Sequence, residues 1–433
     1  MKQLFSSIKK ICIFLAVPLL MGAVLFPAGA RADRRIVIVI DPGHGGKNLG
    51  AQYEGYTEKE MTMITAKAMK EELEKYEGVT VCLTHEEDID MSIRDRALFA
   101  KEKGADFLFC LHYNMSEQHT LFGSEVWVPA QGEYYAKGYS FAQIQMKEFS
   151  DMGLYSRGIK TRLNDRDENY YGILRYCTQE KVPAALIEHC HLDHNKDKPF
   201  YQQGEEQLKE FGRIDATAAA KYFGLKSPVL DVDYSGFPVP ETKIPTGIVR
   251  PDKTEPELCR LEVSDVDKET GQVTVKMEAW DGDSYILYYN YSLDGGSTFT
   301  LPEPWPRPDG WDRSAREHTF TITVPFDQPV TLVAGASNGF DVWAQSSPAV
   351  IDAIPDPERL REEERLEQEK ALREAQKQYQ EITYGDTAGQ EENAASANLA
   401  LAALVGIIVL CMLFVSFFMA KSIALLLKGN KKR

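Results

Sequence analysis

The sequence predicts an α/β domain whose mixed, mostly parallel sheet is flanked by helices on both faces. A small β-sandwich, a charged helical stalk and one C-terminal transmembrane helix are expected to follow it. Three observations carry this reading. Short apolar runs alternate with amphipathic stretches over residues 33–225, as expected of strands buried between helices. Helix signals disappear from about 250 to 354, where short runs of alternating polarity take over. A highly charged stretch at 356–382 precedes an uncharged apolar run at 399–420.

Taken in order, residues 35–40 read as a strand and 58 to about 76 as a helix, with Thr57 and Glu60 spaced as a capping box. Residues 79–83 are a strand and 92–103 a helix. Strands at 105–111 and 124–128 precede a helix at 133–152. A strand at 182–187 and a helix at 205–223 close the domain. Residues 226–249, rich in Pro and Gly, read as a linker. In 250–354, Val273, Val275, Met277 and Ala279 alternate with polar neighbours, and turn signals such as Asp294-Gly-Gly296 separate short strands. Trp280, Trp305, Trp311 and Trp343 read as core and loop aromatics rather than a carbohydrate platform. Residues 355–398 form the charged stalk and a polar juxtamembrane linker; Leu360, Leu366 and Leu372 are spaced too irregularly for a coiled coil.

The ends predict where the chain is sent. Residues 1–32 combine a basic start, an apolar stretch and Ala30-Arg31-Ala32, the pattern of a cleaved secretory signal peptide; an uncleaved anchor is the rival. The run at 399–420 is 22 residues long and uncharged, enough to cross ~30 Å of hydrocarbon. Residues 421–433 form a basic tail, which the positive-inside rule places in the cytoplasm. The expected location is the extracellular face of a cell membrane. With 65 acidic against 49 basic residues and a net charge of −16, a nucleic-acid partner is excluded. Seven cysteines include no C-x-x-C pair, so neither a disulfide framework nor a zinc-finger spacing is expected. A Cys177–Cys190 bridge is left open.

The chemistry gathers after three apolar strands. Asp41-Pro-Gly-His-Gly-Gly46 follows the first, His112-Tyr-Asn114 a second and Glu188-His-Cys-His191 a third. In open α/β sheets ligands bind beyond the carboxyl ends of strands. Glu58, in the first turn of the next helix, reaches toward the same rim. His44, Glu58 and His112 form a two-imidazole, one-carboxylate set suited to zinc with an open position, and Glu188 supplies a carboxylate to move a proton. Singly, each residue has a plainer reading, as a loop histidine or a helix-start carboxylate; their convergence points to a site.

These residues, with Ser92-Ile-Arg-Asp-Arg96, Gly123-Ser-Glu-Val126, Arg157-Gly-Ile-Lys160 and Pro183-Ala-Ala-Leu-Ile-Glu188, make residues 33–225 resemble the catalytic domain of zinc-dependent N-acetylmuramoyl-L-alanine amidases, the bacterial peptidoglycan hydrolases. The resemblance implies Zn²⁺ held by His44, Glu58 and His112, with Glu188 as the catalytic carboxylate. The implied substrate is the amide between N-acetylmuramic acid and L-alanine in peptidoglycan. Asn114 is a further candidate substrate contact. The chain departs from the family after Glu188, where His189-Cys-His191 and His194 stand; His191 and His194 read as solvent-facing loop histidines, with contact to the site as the alternative. Cys110 shares strand parity with His112 and reads as a buried, inert thiol. The all-β segment resembles immunoglobulin-like or fibronectin-type modules and could take a protein or glycan partner. The competing functions are a catalytically inactive wall-binding or regulatory protein and a zinc peptidase acting on another wall amide.

Overall fold

The computed structural model describes residues 35–307 and 314–384; the signal-peptide and transmembrane readings lie outside the described residues. The first compact unit begins with β1 (Ile36–Pro42), the short pair β2 (Gln52–Tyr53) and β3 (Tyr56–Thr57), and helix α1 (Glu58–Leu73). There follow β4 (Val79–Leu83), α2 (Ile93–Lys103), β5 (Phe107–Asn114), β6 (Ser124–Trp127), α3 (Gly132–Met152) and β7 (Ser156–Lys160). Helix α4 (Gly172–Gln179), β8 (Ala184–His191) and α5 (Glu205–Phe223) complete the α/β domain. The main sheet has the order β4-β1-β5-β8-β6-β7. All its pairings are parallel except β6 against β8.

Side-chain alternation sorts the strands into two interiors. Ile38, Ile40, Phe107, Phe109, Ala185 and Ile187 pack with α1, α3 and α5 on one face. Val39, Leu108, Cys110, Ala184 and Leu186 pack with the shorter α2 and α4 on the other. Helices thus cover both faces, and strands buried on both sides read as continuous apolar runs. Helix α2 starts at Ser92, whose hydroxyl accepts the Asp95 amide, and stops at Gly104 in the left-handed region, the expected start and stop signals.

Several expectations need correction. Thr57 precedes α1 but makes no side-chain cap bond, so the expected capping box with Glu60 does not form. That helix ends at Leu73, not near 76. Strands β5 and β8 run three and four residues beyond the expected ends at 111 and 187: polar side chains tolerate strand geometry where their partners lie across the sheet. Neither β7 nor α4 was anticipated; in β7, Arg157 and Lys160 broke the apolar pattern. Cys177 and Cys190 are free thiols and belong to the two opposite interiors, which precludes a bridge.

The 226–249 segment carries β9 (Lys226–Ser227) and β10 (Val232–Asp233), and Val249 donates to Ala130 O. Beyond it lie β11 (Leu258–Asp267), β12 (Gln272–Trp280), β13 (Ile286–Ser292), β14 (Glu303–Pro304), β15 (Glu317–Thr323), β16 (Val330–Asn338), β17 (Trp343–Gln345) and β18 (Ala349–Ile351). β11, β12 and β15 form one antiparallel sheet; β13, β14, β16, β17 and β18 form another. Val273, Val275 and Ile322 of the first meet Val330 and Leu332 of the second, so the sheets share an apolar interior. Trp305 is buried in that interior.

A second unit begins at Pro355. Its described part is α6 (Pro357–Tyr384), about 42 Å long at 1.5 Å per residue. Ion pairs such as Arg359–Glu363 and Arg365–Glu369 run along it, the i,i+4 spacing that supports a solvated helix. Among the described residues, no helix is long and apolar enough to cross a membrane.

Candidate metal centre

The loop after β1 brings His44 back over the sheet. Its backbone is left-handed, φ 68°, an uncommon state for a residue with a Cβ. Arg96 of α2 holds the turn in place. Its buried guanidinium donates to His44 O, Pro42 O and Asp41 Oδ1. A Cβ at Gly43 would strike the His112 ring, and one at left-handed Gly50 would strike the Glu58 carboxylate. Glycine at these two points lets three chain segments converge.

Glu58 sits at the centre of that convergence. Its Oε2 lies 2.9 Å from His44 Nε2 and its Oε1 2.9 Å from His112 Nδ1. Each oxygen is also anchored by a backbone amide, Ala51 N at 2.7 Å and Tyr113 N at 3.0 Å. Burial pushes the Glu58 carboxyl up, but hydrogen bonds and charge from His112 and His44 hold it well below the usual carboxylate range. The same contact raises His44 against the opposing pull of burial. The second nitrogen of His44, Nδ1, meets Asn48 Oδ1 at 3.0 Å, which fixes the ring orientation.

The ligand atoms of His44, Glu58 and His112 lie within 4.8 Å of one another and could hold a metal ion. Two imidazoles and a carboxylate are a zinc-type donor set with a coordination position to spare. Glu188 pairs in register with His112 across β5 and β8, so its side chain emerges on the same face beside the group. Its Oε2 is buried and, among the described residues, accepts no hydrogen bond. Burial first, then the charges of Glu58 and Glu125, push its carboxyl well above the usual range, with Arg157 opposing. A buried carboxylate without a partner beside a three-ligand group fits a metal centre with a proton acceptor.

Other candidate residues fall out differently. Asn114 Nδ2 donates to Glu125 Oε1 at 2.9 Å, so it braces a carboxylate of the sheet. His189 is buried between His112 O and Asp215 Oδ2, 2.8 Å from each. His191 and His194 are buried as well, which corrects the solvent-facing loop reading. β8 continues through His191, whose Nδ1 meets Gly123 O at 3.0 Å, and His194 stacks on Phe122. Neither joins the metal group. Cys110 donates to Asp41 Oδ2 at 3.2 Å, and burial followed by the Asp41 charge pushes its thiol up, as expected of an inert cysteine.

Sequence reasoning quoted Arg96, Glu125, Arg157 and Lys160 within motifs without giving them roles. Glu125 is the register partner of Glu188 on β6, and Arg157 Nε and Lys160 Nζ lie 2.9 and 2.8 Å from its Oε2. A basic residue inside an otherwise apolar strand was the available signal, since buried cations require a partner.

Residues 38–214 match the family described as N-acetylmuramoyl-L-alanine amidase. The chain is 35% identical over 161 residues to the sporulation-specific N-acetylmuramoyl-L-alanine amidase of Bacillus subtilis, covering 36% of this chain and 57% of that one. It is 31% identical over 183 residues to the probable cell wall amidase LytH of Staphylococcus aureus, covering 41% and 56%. The chain therefore spans a little over half the length of these relatives. Among solved structures, N-acetylmuramoyl-L-alanine amidase AmiC2 of Nostoc punctiforme is 25% identical, with 43% of this chain and 97% of that one covered and a TM-score of 0.38.

Proposed function

We propose that this chain hydrolyses the amide joining N-acetylmuramic acid to L-alanine in peptidoglycan, and that it uses zinc; the match of residues 38–214 to the N-acetylmuramoyl-L-alanine amidase family supports this reading. The observation that carries the reading is the convergence of His44, Glu58 and His112 within 4.8 Å, with Glu188 in register beside His112. In this reading His44 Nε2, His112 Nδ1 and the Glu58 carboxylate hold the ion. Zinc bound there supplies Lewis acidity toward the amide carbonyl and an attacking water.

The chain's own residues do the rest. Glu188 accepts the proton of the attacking water and returns it to the departing L-alanine nitrogen. Its unpartnered oxygen and low-polarity surroundings favour uptake of that proton. Asn48 orients His44, and Arg96 fixes the turn that presents it. The sequence pattern of a signal at 1–32 and an apolar run at 399–420 further supports an exported enzyme on the extracellular face, tethered by a C-terminal membrane helix. The fibronectin-like β-sandwich and charged stalk would then stand between membrane and wall.

Purified wall fragments test the reading. Zinc-loaded parent enzyme should release new L-alanine amino termini. Glu188→Ala should lose at least about a hundredfold in turnover, the contribution of a positioned proton acceptor, while keeping its zinc. His44→Ala should lose both metal and activity. Wall hydrolysis by Glu188→Ala at the parental rate would overturn the mechanism. Amino termini other than L-alanine would identify another wall amide as the substrate, and zinc binding without hydrolysis a wall-binding protein.

A further inference from the structure

The α/β domain and the two-sheet domain meet along β7, the edge strand of the main sheet. The second domain caps this edge with side chains. Tyr285 donates to Arg157 O, Arg307 to Ser156 O, and Tyr288 to Phe122 O, while Tyr155 donates back to Leu287 O. Phe122, Tyr285, Leu287 and Tyr288 form one apolar cluster across the boundary. Gly158 is left-handed, φ 93°, and a Cβ there would strike the Tyr285 hydroxyl. The close approach therefore depends on glycine at 158.

One polar chain crosses this boundary and ends at Glu125, the register neighbour of Glu188. Arg157 is buried and uses its guanidinium in three directions. Nε donates to Glu125 Oε2 at 2.9 Å. The two terminal nitrogens donate to Tyr288 OH at 2.9 Å and Asp341 Oδ2 at 2.7 Å, both in the second domain. Glu125 pairs in register with Glu188, which puts the two Cβ atoms about 5 Å apart. Lys160, also buried, adds a second cation to Glu125 at 2.8 Å.

Buried Glu125, Lys160 and Arg157 and the part-exposed Asp341 thus make a group of two anions and two cations. Remove Asp341, and two cations share one carboxylate with a guanidinium arm left unmatched. A buried charge without its partner is costly, and the group relaxes to relieve it. The turn that presents Asp341 is itself braced: Asn338 Oδ1 accepts the amides of Phe340 and Val342 at 2.9 and 3.1 Å.

We propose that Asp341 is a positioning residue for hydrolysis in the α/β domain, acting through Arg157 and Glu125 on Glu188. The proposal rests on the amidase reading above. It makes the second domain a working part of the enzyme rather than a spacer.

The test uses the full chain loaded with zinc, assayed on a soluble muramyl peptide. Asp341→Ala should lower kcat by about ten- to a hundredfold, the scale of a small misplacement near the chemistry, with KM and zinc content unchanged. Asp341→Glu should recover most of that kcat. Lys196→Ala, which removes the exposed Lys196–Glu303 pair across the same boundary, should leave kcat intact. Parental kcat in Asp341→Ala would overturn the proposal. So would an equal kcat loss in Lys196→Ala at an equal fall in melting temperature, which would mark a merely loosened boundary. An inactive zinc-loaded parent would sink the amidase reading and this coupling together; an active parent indifferent to Asp341→Ala sinks the coupling alone.

Discussion

His44 adopts a backbone state that costs energy and keeps it through neighbours. Asn48 touches its Nδ1 at 3.0 Å, and Arg96 fixes its carbonyl. Such outer contacts set ligand geometry and basicity. Asn48→Ala should therefore weaken zinc affinity by about 10- to 100-fold, with little change in fold, as read by competition against a chelator and by circular dichroism. Unaltered affinity would remove Asn48 from the centre. At this scale the sequence was informative about residue type but not partner. The DPGHGG run announced a tight, ligand-bearing turn. Nothing in the spacing of Arg96, 52 residues beyond His44, announced that its guanidinium closes that turn.

Strand β8 shows how an element can be half legible. Its apolar beginning was plain, but the strand continues past Glu188 to His191 because His189 is held between His112 O and Asp215 and His191 meets Gly123 O. Asp197 secures its end by accepting the His191 amide at 2.8 Å and the Gly123 amide at 2.6 Å. Burial pushes the Asp197 carboxyl up to about 6, against those two amide bonds. An acid whose folded pKa is raised gives most stability below its unfolded value of 3.8 and loses it as pH rises through 6. Asp197→Asn keeps an acceptor but cannot titrate. The difference in stability between variant and parent should therefore move in the parent's favour by up to about 3 kcal/mol as pH falls from 7 to 4. Urea melts across that range check it; a constant difference would refute it. β7 was missed for the same physical reason that β8 was cut short. Buried Arg157 and Lys160 look like surface residues until Glu125 and Asp341 are placed beside them.

For the whole molecule, the tether remains a proposal drawn from residues 1–32 and 399–420. Intact cells treated with protease should lose the catalytic domain while an epitope on the 421–433 tail stays protected. Protection of the catalytic domain would reverse the orientation. The mixed, mostly parallel α/β architecture was readable along the chain apart from β7 and α4, because periodicity and composition are local properties. So were His44, Glu58, His112 and Glu188 as candidates, because strand ends are where an α/β sheet presents chemistry. Which side chains neutralise one another was decided only by folding. Charge pairing is a matter of distance, and Arg157 and Asp341 are 184 positions apart. The sequence alone therefore determined what chemistry is available and roughly where it emerges. The tertiary structure decided which charges meet, because only packing against β7 brings the Asp341 carboxylate to Arg157, which would otherwise share Glu125 alone with Lys160.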